Sequence, residues 1–144
     1  MTSPISQEII FENPKINLRL KLAGLWIAAM FCYIYADILG FYDDYLMSEI
    51  LKGNMGPIGP ITQGLKLGIA ILMSLPAIMI YLSLVAKPTV CRWLNILTGA
   101  LFTLVIVVTS IMSPFYYYWY FGILEITMTT TIVWLGWKWP TTVK

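Results

Sequence analysis

One carboxylate lies in the middle of an apolar stretch. Glu125 falls about nine residues into a mostly apolar window that runs from about Tyr116 to Trp137. At about 1.5 Å per residue this is about 13 Å from the start of the window, close to the middle of a hydrocarbon core about 30 Å thick. A charge there costs on the order of 3 kcal/mol, so such residues are functional candidates by default. Desolvation penalises the charged form, and we expect a neutral, hydrogen-bonding carboxyl that contacts a ligand, proton or ion.

Hydroxyl groups at a similar depth are the expected partners of Glu125. Tyr33 and Ser74 lie in other apolar windows, and Thr129 lies one turn further along the same window. Helical residues four apart share a face, which places Asp37 beside Tyr33. We read Glu125, Asp37, Tyr33 and Thr129 as ligand or ion candidates. In the alternative reading, Glu125 only locks neighbouring helices through a hydrogen bond, and Asp37 is a helix-end acid wetted from outside.

Three further residues in the apolar windows are interpreted structurally. Asn95 and Ser74 are expected to form hydrogen bonds between helices, as weakly polar residues do in membranes. Pro76 lacks a backbone N–H, so a helix kink is expected about one turn earlier, with a free carbonyl near Leu72. The kink is also a candidate hinge.

Missing residue types exclude several kinds of chemistry. The sequence contains no histidine, and its two cysteines form no CxxC pair. Haem or zinc sites held by histidine and histidine-dependent nucleophilic catalysis are therefore excluded, and a thiol oxidoreductase is disfavoured. We expect no metal, no cofactor and no enzymatic activity. A net charge of +2 is too small to indicate nucleic-acid binding, which needs a basic patch.

The composition is that of a membrane protein. Apolar residues make up 59% of the chain and charged residues 11%, against about 45–50% and about 25% in soluble domains. Four windows are long enough to cross a bilayer, at about residues 22–41, 65–86, 93–112 and 116–137. The sequence thus predicts one transmembrane domain, residues 1–144, with an N-terminal tail over 1–17. In the first connecting loop, the segment DDYLMSEILK has helical periodicity and predicts a short amphipathic helix.

The charges predict the orientation of the four helices. Cations accumulate in short cytoplasmic loops. One side of the predicted membrane carries seven of them (Lys15, Arg19, Lys21, Lys87, Arg92, Lys138 and Lys144), and the other side carries only Lys52 and Lys66. Both termini are therefore predicted to be cytoplasmic.

Short loops predict an all-α bundle in which the helices run up, down, up and down. Heptad-like spacing with small or weakly polar residues at helix contacts predicts one interior stripe on each helix. These stripes are Trp26, Met30, Tyr33 and Asp37; Ala70, Ser74, Ala77 and Tyr81; Asn95, Gly99, Phe102, Ile106 and Thr109; and Tyr118, Gly122, Glu125, Thr129 and Gly136.

Three segments carry a family resemblance: LKLAGLWIAAMFCYIYADILGFY, LVAKPTVCRWLNILTGALFT and IVWLGWKWP. They resemble a family of small bacterial four-helix membrane proteins of unknown function, from about Lys15 to Pro140. The plan is also distantly similar to DoxX-like proteins. The resemblance implies the fold and a bacterial inner (plasma) membrane setting, and it supplies no site residue.

Two hypotheses for function follow. The first is a membrane protein that binds or passes a small ligand, proton or ion through Glu125. The second is a non-catalytic structural or accessory subunit whose buried polar groups only specify packing. Both imply the lipid bilayer as a partner, and both admit a homo-oligomer or a partner membrane protein.

Overall fold

The computed structural model describes residues 14–55 and 58–141, and the regular elements within them are α-helices. There are five: α1 (Leu18–Gly40), α2 (Asp44–Leu51), α3 (Gln63–Val85), α4 (Pro88–Met112) and α5 (Tyr116–Trp137). The short helix α2 lies where the sequence predicts one. The N-terminal tail was predicted over residues 1–17, and residues 1–13 of it lie outside the part of the chain that the structure describes.

Three of the long helices can cross a membrane by length and composition. These are α1, α3 and α4. Helix α5 has a similar length, 22 residues, but its first six residues are the aromatic run YYYWYF, in which the tyrosines and tryptophan lower the mean hydropathy.

Local sequence explains where the helices begin. The side chains of Asn17 and Thr62 accept hydrogen bonds from the backbone N–H groups of Arg19 (2.9 Å) and Leu65 (3.1 Å), which caps α1 and α3. Helix α4 begins at Pro88 rather than at about residue 93. Proline is well suited to the first turn of a helix, where its missing N–H has no partner to lose. A prediction from hydropathy misses this first turn, because the turn includes the charged residue Arg92.

The long helices pack against their neighbours in antiparallel pairs. Arg19 near the start of α1 donates a 2.9 Å hydrogen bond to the carbonyl of Leu84 near the end of α3. At the other end of α1, a β-carbon at Gly40 would lie 3.4 Å from the Tyr117 hydroxyl in the first turn of α5. We name the two ends of the molecule the Leu18 end and the Gly40 end.

A stripe of buried residues runs along α1, α4 and α5 with steps of three and four residues, which is the spacing of helices packed at shallow angles. The interior residues of α5 are Gly122, Glu125, Thr129, Ile132 and Gly136, close to the predicted stripe. Those of α4 include Asn95, Gly99, Phe102 and Ile106, as predicted, but Ser110 is buried where Thr109 was predicted. On α1 the stripe is Leu22, Ala23, Trp26, Ala29, Tyr33, Ala36 and Gly40.

The predicted stripe on α3 is wrong. Ala70, Ser74, Ala77 and Tyr81 are all exposed, and the buried residues are Pro76, Met79 and Ser83. A proline, a methionine and a serine make this contact instead of the predicted residues. Met79 belongs to the same buried cluster as Leu22, Trp26 and Ile132. Helix α3 continues through Pro76, which lies inside the helix and is buried.

Candidate functional site

Glu125 faces the other helices. Its side chain is 6% exposed, and it lies between Gly122 and Thr129 on the buried stripe of α5. These two neighbours set how closely α5 approaches α4. A β-carbon at Gly122 would collide with the Ser110 hydroxyl, so only glycine allows this approach. The buried position of Glu125 is therefore a consequence of tight packing between two helices.

Tyr33 faces the same interior from α1. It is 9% exposed and its ring packs against Phe102 of α4, with 6.0 Å between ring centroids. Its hydroxyl is buried and has no hydrogen-bond partner among the described residues. Buried hydroxyl groups are normally bonded. Tyr33 therefore keeps an unused donor and acceptor within electrostatic range of Glu125.

The carboxyl group of Glu125 is also without a partner. Its side chain makes no hydrogen bond and no ion pair within residues 14–55 and 58–141, although buried carboxylates are normally paired. The titratable groups within electrostatic range are Cys32, Tyr33 and Asp37 of α1 and Tyr118 of α5. All of these groups are neutral or acidic, so the surroundings of Glu125 supply no compensating cation.

Asp37 is exposed and does not lie on the interior stripe of α1, which corrects its predicted place there. From Tyr33 the buried face continues to Ala36 and Gly40. The stripe thus takes a step of three residues where the prediction took a step of four. Asp37 is nevertheless close enough to Glu125 for the two charges to act on each other, and it stands between Glu125 and the Gly40 end.

Thr129 does not bond to the carboxyl group of Glu125. Its hydroxyl donates to the backbone carbonyl of Glu125 at 2.9 Å, one turn back on the same helix, as threonine commonly does inside helices. The same hydroxyl accepts a 2.8 Å hydrogen bond from Thr103 of α4. Thr129 therefore links α5 to α4 and holds the backbone beside the site.

Ser74 is remote from this site, which corrects the prediction that it bonds between helices or to Glu125. It is exposed, and its hydroxyl donates to the carbonyl of Ile71 in its own helix at 2.7 Å. The reason is that the buried face of α3 runs through Pro76, Met79 and Ser83, and Ser74 does not lie on it. Ser83 takes the expected interhelical role instead.

Asn95 joins three helices. Its side-chain oxygen accepts from the indole N–H of Trp26 at 2.8 Å and from the hydroxyl of Ser83 at 3.2 Å. Its amide group donates to the carbonyl of Cys91 at 2.8 Å. Sequence reasoning missed Trp26 and Ser83 as partners. The sequence signal for Ser83 was its spacing of seven residues from Pro76, which places the two on one face of α3. The indole of Trp26, the hydroxyl of Ser83, the side chain of Asn95 and the carbonyl of Cys91 are all hydrogen-bonded. This cluster therefore keeps no free donor or acceptor for a ligand.

An apolar layer separates Glu125 from the Leu18 end. We name Phe102, Trp26, Ile132 and Leu22 the apolar plug. Each of these side chains is at most 1% exposed, and Trp26 packs edge-on against Phe102, with 6.2 Å between ring centroids. Polar groups at Tyr33, Tyr118 and Asp37 lie on the opposite side of Glu125, toward the Gly40 end. On the Leu18 side of Glu125, the hydroxyls of Thr129 and Thr103 are already hydrogen-bonded, and the apolar plug lies beyond them.

The donor set does not suit a metal ion. Within the described parts of the chain, no three acidic or cysteine side chains come together closely enough to hold one. What the arrangement offers chemically is one buried carboxyl, one buried phenol without a partner and a second carboxyl nearer the surface. These groups are able to exchange a proton or to bond a small polar ligand.

Comparisons with known proteins bear on the family and not on the site. Residues 9–143 match the model of a family described as "Family of unknown function (DUF6326)". None of the curated proteins and none of the solved structures compared with the chain matches it. Because the match covers nearly all of the 144 residues, the chain belongs to the DUF6326 family of unknown function.

Proposed function

We propose that this protein crosses the membrane four times and binds or passes a small ligand, proton or ion at Glu125. Three helices are apolar enough to cross a bilayer. Helix α5 is the proposed fourth, because it packs along both α1 and α4 and its aromatic first turns suit a membrane interface. The proposed setting is a bacterial inner membrane with both termini in the cytoplasm.

The observation that carries the proposal is a buried acid without a partner. Glu125 is 6% exposed and its carboxyl has no hydrogen-bonding or ionic partner among the described side chains. Its oxygens are not completely enclosed, whereas the nearby Tyr33 hydroxyl is enclosed and also lacks a partner. A group that only locked helices together would be bonded, as Asn95 is. Burying an unpaired acid is costly, and a binding role for the acid accounts for that cost. We propose no catalytic activity, no metal and no cofactor.

The same chain illustrates the alternative function. Asn95 shows that buried polar groups in this protein do fasten helices together. In a structural or accessory subunit, working with a second copy or a partner membrane protein, Glu125 would take such a packing role, for which the described residues supply no hydrogen bond. In that case the charge state of Glu125 would be irrelevant to activity.

Exchanging Glu125 for glutamine separates the two functions, because Glu125→Gln preserves the shape and removes the titratable proton. The protein is reconstituted into vesicles that contain a pH-sensitive or cation-sensitive dye, and a gradient is imposed. We expect the wild type to relax the gradient and Glu125→Gln to behave like protein-free vesicles. Glu49→Gln is the matched control, because Glu49 is an acid outside the long helices. Equal rates for the wild type and Glu125→Gln would refute the proposed function and favour the accessory one.

A further inference from the structure

On the Gly40 side of Glu125 lie Tyr33, whose hydroxyl has no partner, and Asp37. On the Leu18 side lie the hydroxyls of Thr129 and Thr103, which are already bonded, and beyond them the apolar plug. Counted from the contact between Gly40 and Tyr117, Tyr33 and Glu125 lie at similar depths, about 10–12 Å into their helices at about 1.5 Å per residue. Asp37 lies about one turn nearer the surface. Trp26 and Ile132 lie about 10 Å deeper than Glu125 on the same scale. The order along the molecule is therefore Asp37, then Tyr33 with Glu125, then the plug.

We infer, building on the proposed function, that the species handled at Glu125 is a proton, and that Glu125 exchanges it with the Gly40 end only. A dehydrated metal cation needs several oxygen ligands, and within the described residues no three acidic or cysteine side chains come together to hold one. A proton needs only one acceptor and a chain of groups that both donate and accept. The Tyr33 hydroxyl is such a group, buried and without a partner.

The proton transfer needs no reagent other than water and the side chains of Glu125, Tyr33 and Asp37. A proton leaves the protonated Glu125 carboxyl and passes over a bridging water to a lone pair of the Tyr33 hydroxyl oxygen. The hydroxyl gives up its own proton in the same direction, and the Asp37 carboxylate or bulk water accepts it. Glu125 is left ionised and Tyr33 is unchanged. The reverse sequence reloads Glu125 from the Gly40 end.

The apolar plug prevents the same exchange at the Leu18 end. Phe102, Trp26, Ile132 and Leu22 are close-packed and carry only one polar atom, the Trp26 indole nitrogen, which is already bonded to Asn95. Neither α3 nor α4 places a titratable group near Glu125 within the described residues. Movement of a proton across the whole membrane therefore requires the plug to part in a second conformation.

The inference is tested by asking which side of the membrane sets the protonation of Glu125. Hydrophobic carbodiimides modify protonated carboxyl groups, and peptide mass spectrometry identifies the modified residue. The full chain is reconstituted in one orientation, and the pH on each side is varied separately. We expect modification of Glu125 to be lost when the Gly40 side is made alkaline, and to be unaffected by the pH on the Leu18 side.

Variants sharpen this test. Asp37→Asn and Tyr33→Phe should slow the response of Glu125 modification to the pH on the Gly40 side, whereas Asp44→Asn, which removes an acid from α2, should not. Phe102→Ala opens the plug, so modification should then respond to both sides. Thermal unfolding checks that the Phe102→Ala variant folds. The wild-type measurement tests the inference whether or not this variant folds.

The outcomes separate this inference from the proposed function. Modification that follows the pH on the Leu18 side, or on both sides, in the wild type overturns one-sided exchange but leaves a titrating Glu125 in place. Modification that ignores the pH on both sides shows that Glu125 does not titrate, which overturns this inference. A gradient-relaxing activity that still depends on Glu125 would then retain the proposed function with a ligand other than a proton.

Discussion

The indole nitrogen of Trp26 donates a 2.8 Å hydrogen bond to the side-chain oxygen of Asn95, and 69 positions of the chain separate the two residues. Both side chains are fully buried. Because Ser83 of α3 donates to the same oxygen, this one atom fastens α1, α3 and α4 together near the Leu18 end. The carboxyl group of Glu125 makes no bond of this kind to another described residue, although one turn away Thr103 of α4 bonds to Thr129 of α5.

Replacing Asn95 by leucine should destabilise the fold. Asn95→Leu leaves the donors of Trp26 and Ser83 buried without an acceptor, which costs about 1–3 kcal/mol. The measurement is the free energy of unfolding in detergent. A double-mutant cycle with Trp26→Phe isolates the bond, and we expect a coupling of about 1 kcal/mol, within the range for membrane helices. Trp134→Phe is the control, since Trp134 is 54% exposed. A coupling near zero would show that the bond contributes nothing.

The glycines of this chain fall into two groups that mutation should separate. A β-carbon at Gly99 would lie 2.9 Å from Val133 and 3.3 Å from the backbone oxygen of Thr129, and one at Gly122 would strike Ser110. Gly99→Leu and Gly122→Leu should therefore force α4 and α5 apart and lower the melting temperature clearly.

Gly68 provides the matched control for these two variants. It also lies within a long helix, but a β-carbon there would have no neighbour within 4 Å. Gly68→Leu should be neutral or slightly stabilising, because leucine has a helix propensity higher than glycine by up to about 1 kcal/mol. If all three variants melt alike, the close approach of α4 and α5 is not what requires glycine.

How much of this arrangement the sequence predicts depends on chemical contrast along each helix. Helices α4 and α5 carry glycine, asparagine, glutamate and threonine among large apolar residues, so their interior faces were predictable from spacing. Helix α3 is apolar almost all round, and most of its small residues are exposed whereas Ser83 is buried, so the rule that placed Ser74 inside chose the wrong face. For Asp37 the error was one residue of register. Heptad spacing alternates steps of three and four, and the sequence does not say which step follows Tyr33.

The unpaired state of Glu125 could not be predicted from the sequence. Its depth follows from counting residues, but the absence of a bonded partner depends on how α1 and α5 rotate against each other. Sequence reasoning offered Tyr33, Ser74 and Thr129 as partners. In the structure Ser74 points away and Thr129 bonds to the backbone, and only the unbonded Tyr33 hydroxyl remains nearby. Rotations of this kind depend on packing and are not encoded by composition.

The loop helix α2 contains an ion pair that should titrate. The side-chain nitrogen Nζ of Lys52 lies 2.8 Å from the carboxylate oxygen Oε1 of Glu49. The hydrogen bond from Lys52, together with the charge of Lys52, lowers the pKa of Glu49 below its usual value. The pair therefore supports α2 above the usual pKa of a glutamate, and this support is lost as the pH falls through the lowered value.

Side-chain NMR of Glu49 measures this shift. We expect a titration midpoint below that of a free glutamate, and Lys52→Met should raise the midpoint toward the ordinary value. Lys66→Met removes a lysine from α3 and serves as the control, for which the midpoint should not move. A midpoint that is the same with and without Lys52 would mean that the pair does not persist in solution.

The orientation of the protein in the membrane is the last prediction. The described cations at the Leu18 end are Lys15, Arg19, Lys21, Lys87, Arg92 and Lys138, and the described acids lie at Glu125 or nearer the Gly40 end. Because positively charged loops remain in the cytoplasm, the Leu18 end should face inward. The test is the labelling of single cysteines in intact cells with a reagent that does not cross the membrane, in a chain whose own Cys32 and Cys91 are replaced by alanine.

Asn54→Cys and Pro114→Cys should be labelled, because both positions lie in connections at the Gly40 end. Ile5→Cys and Thr142→Cys should be labelled only after the cells are permeabilised. Labelling of all four in permeabilised cells controls for the accessibility of each thiol. The reverse pattern would place the Gly40 end in the cytoplasm, and Glu125 would then exchange its proton with the cell interior. Labelling of one terminus but not the other would mean an odd number of crossings, and α5 would be the helix to exclude, because its aromatic first turns make it the least apolar of the four.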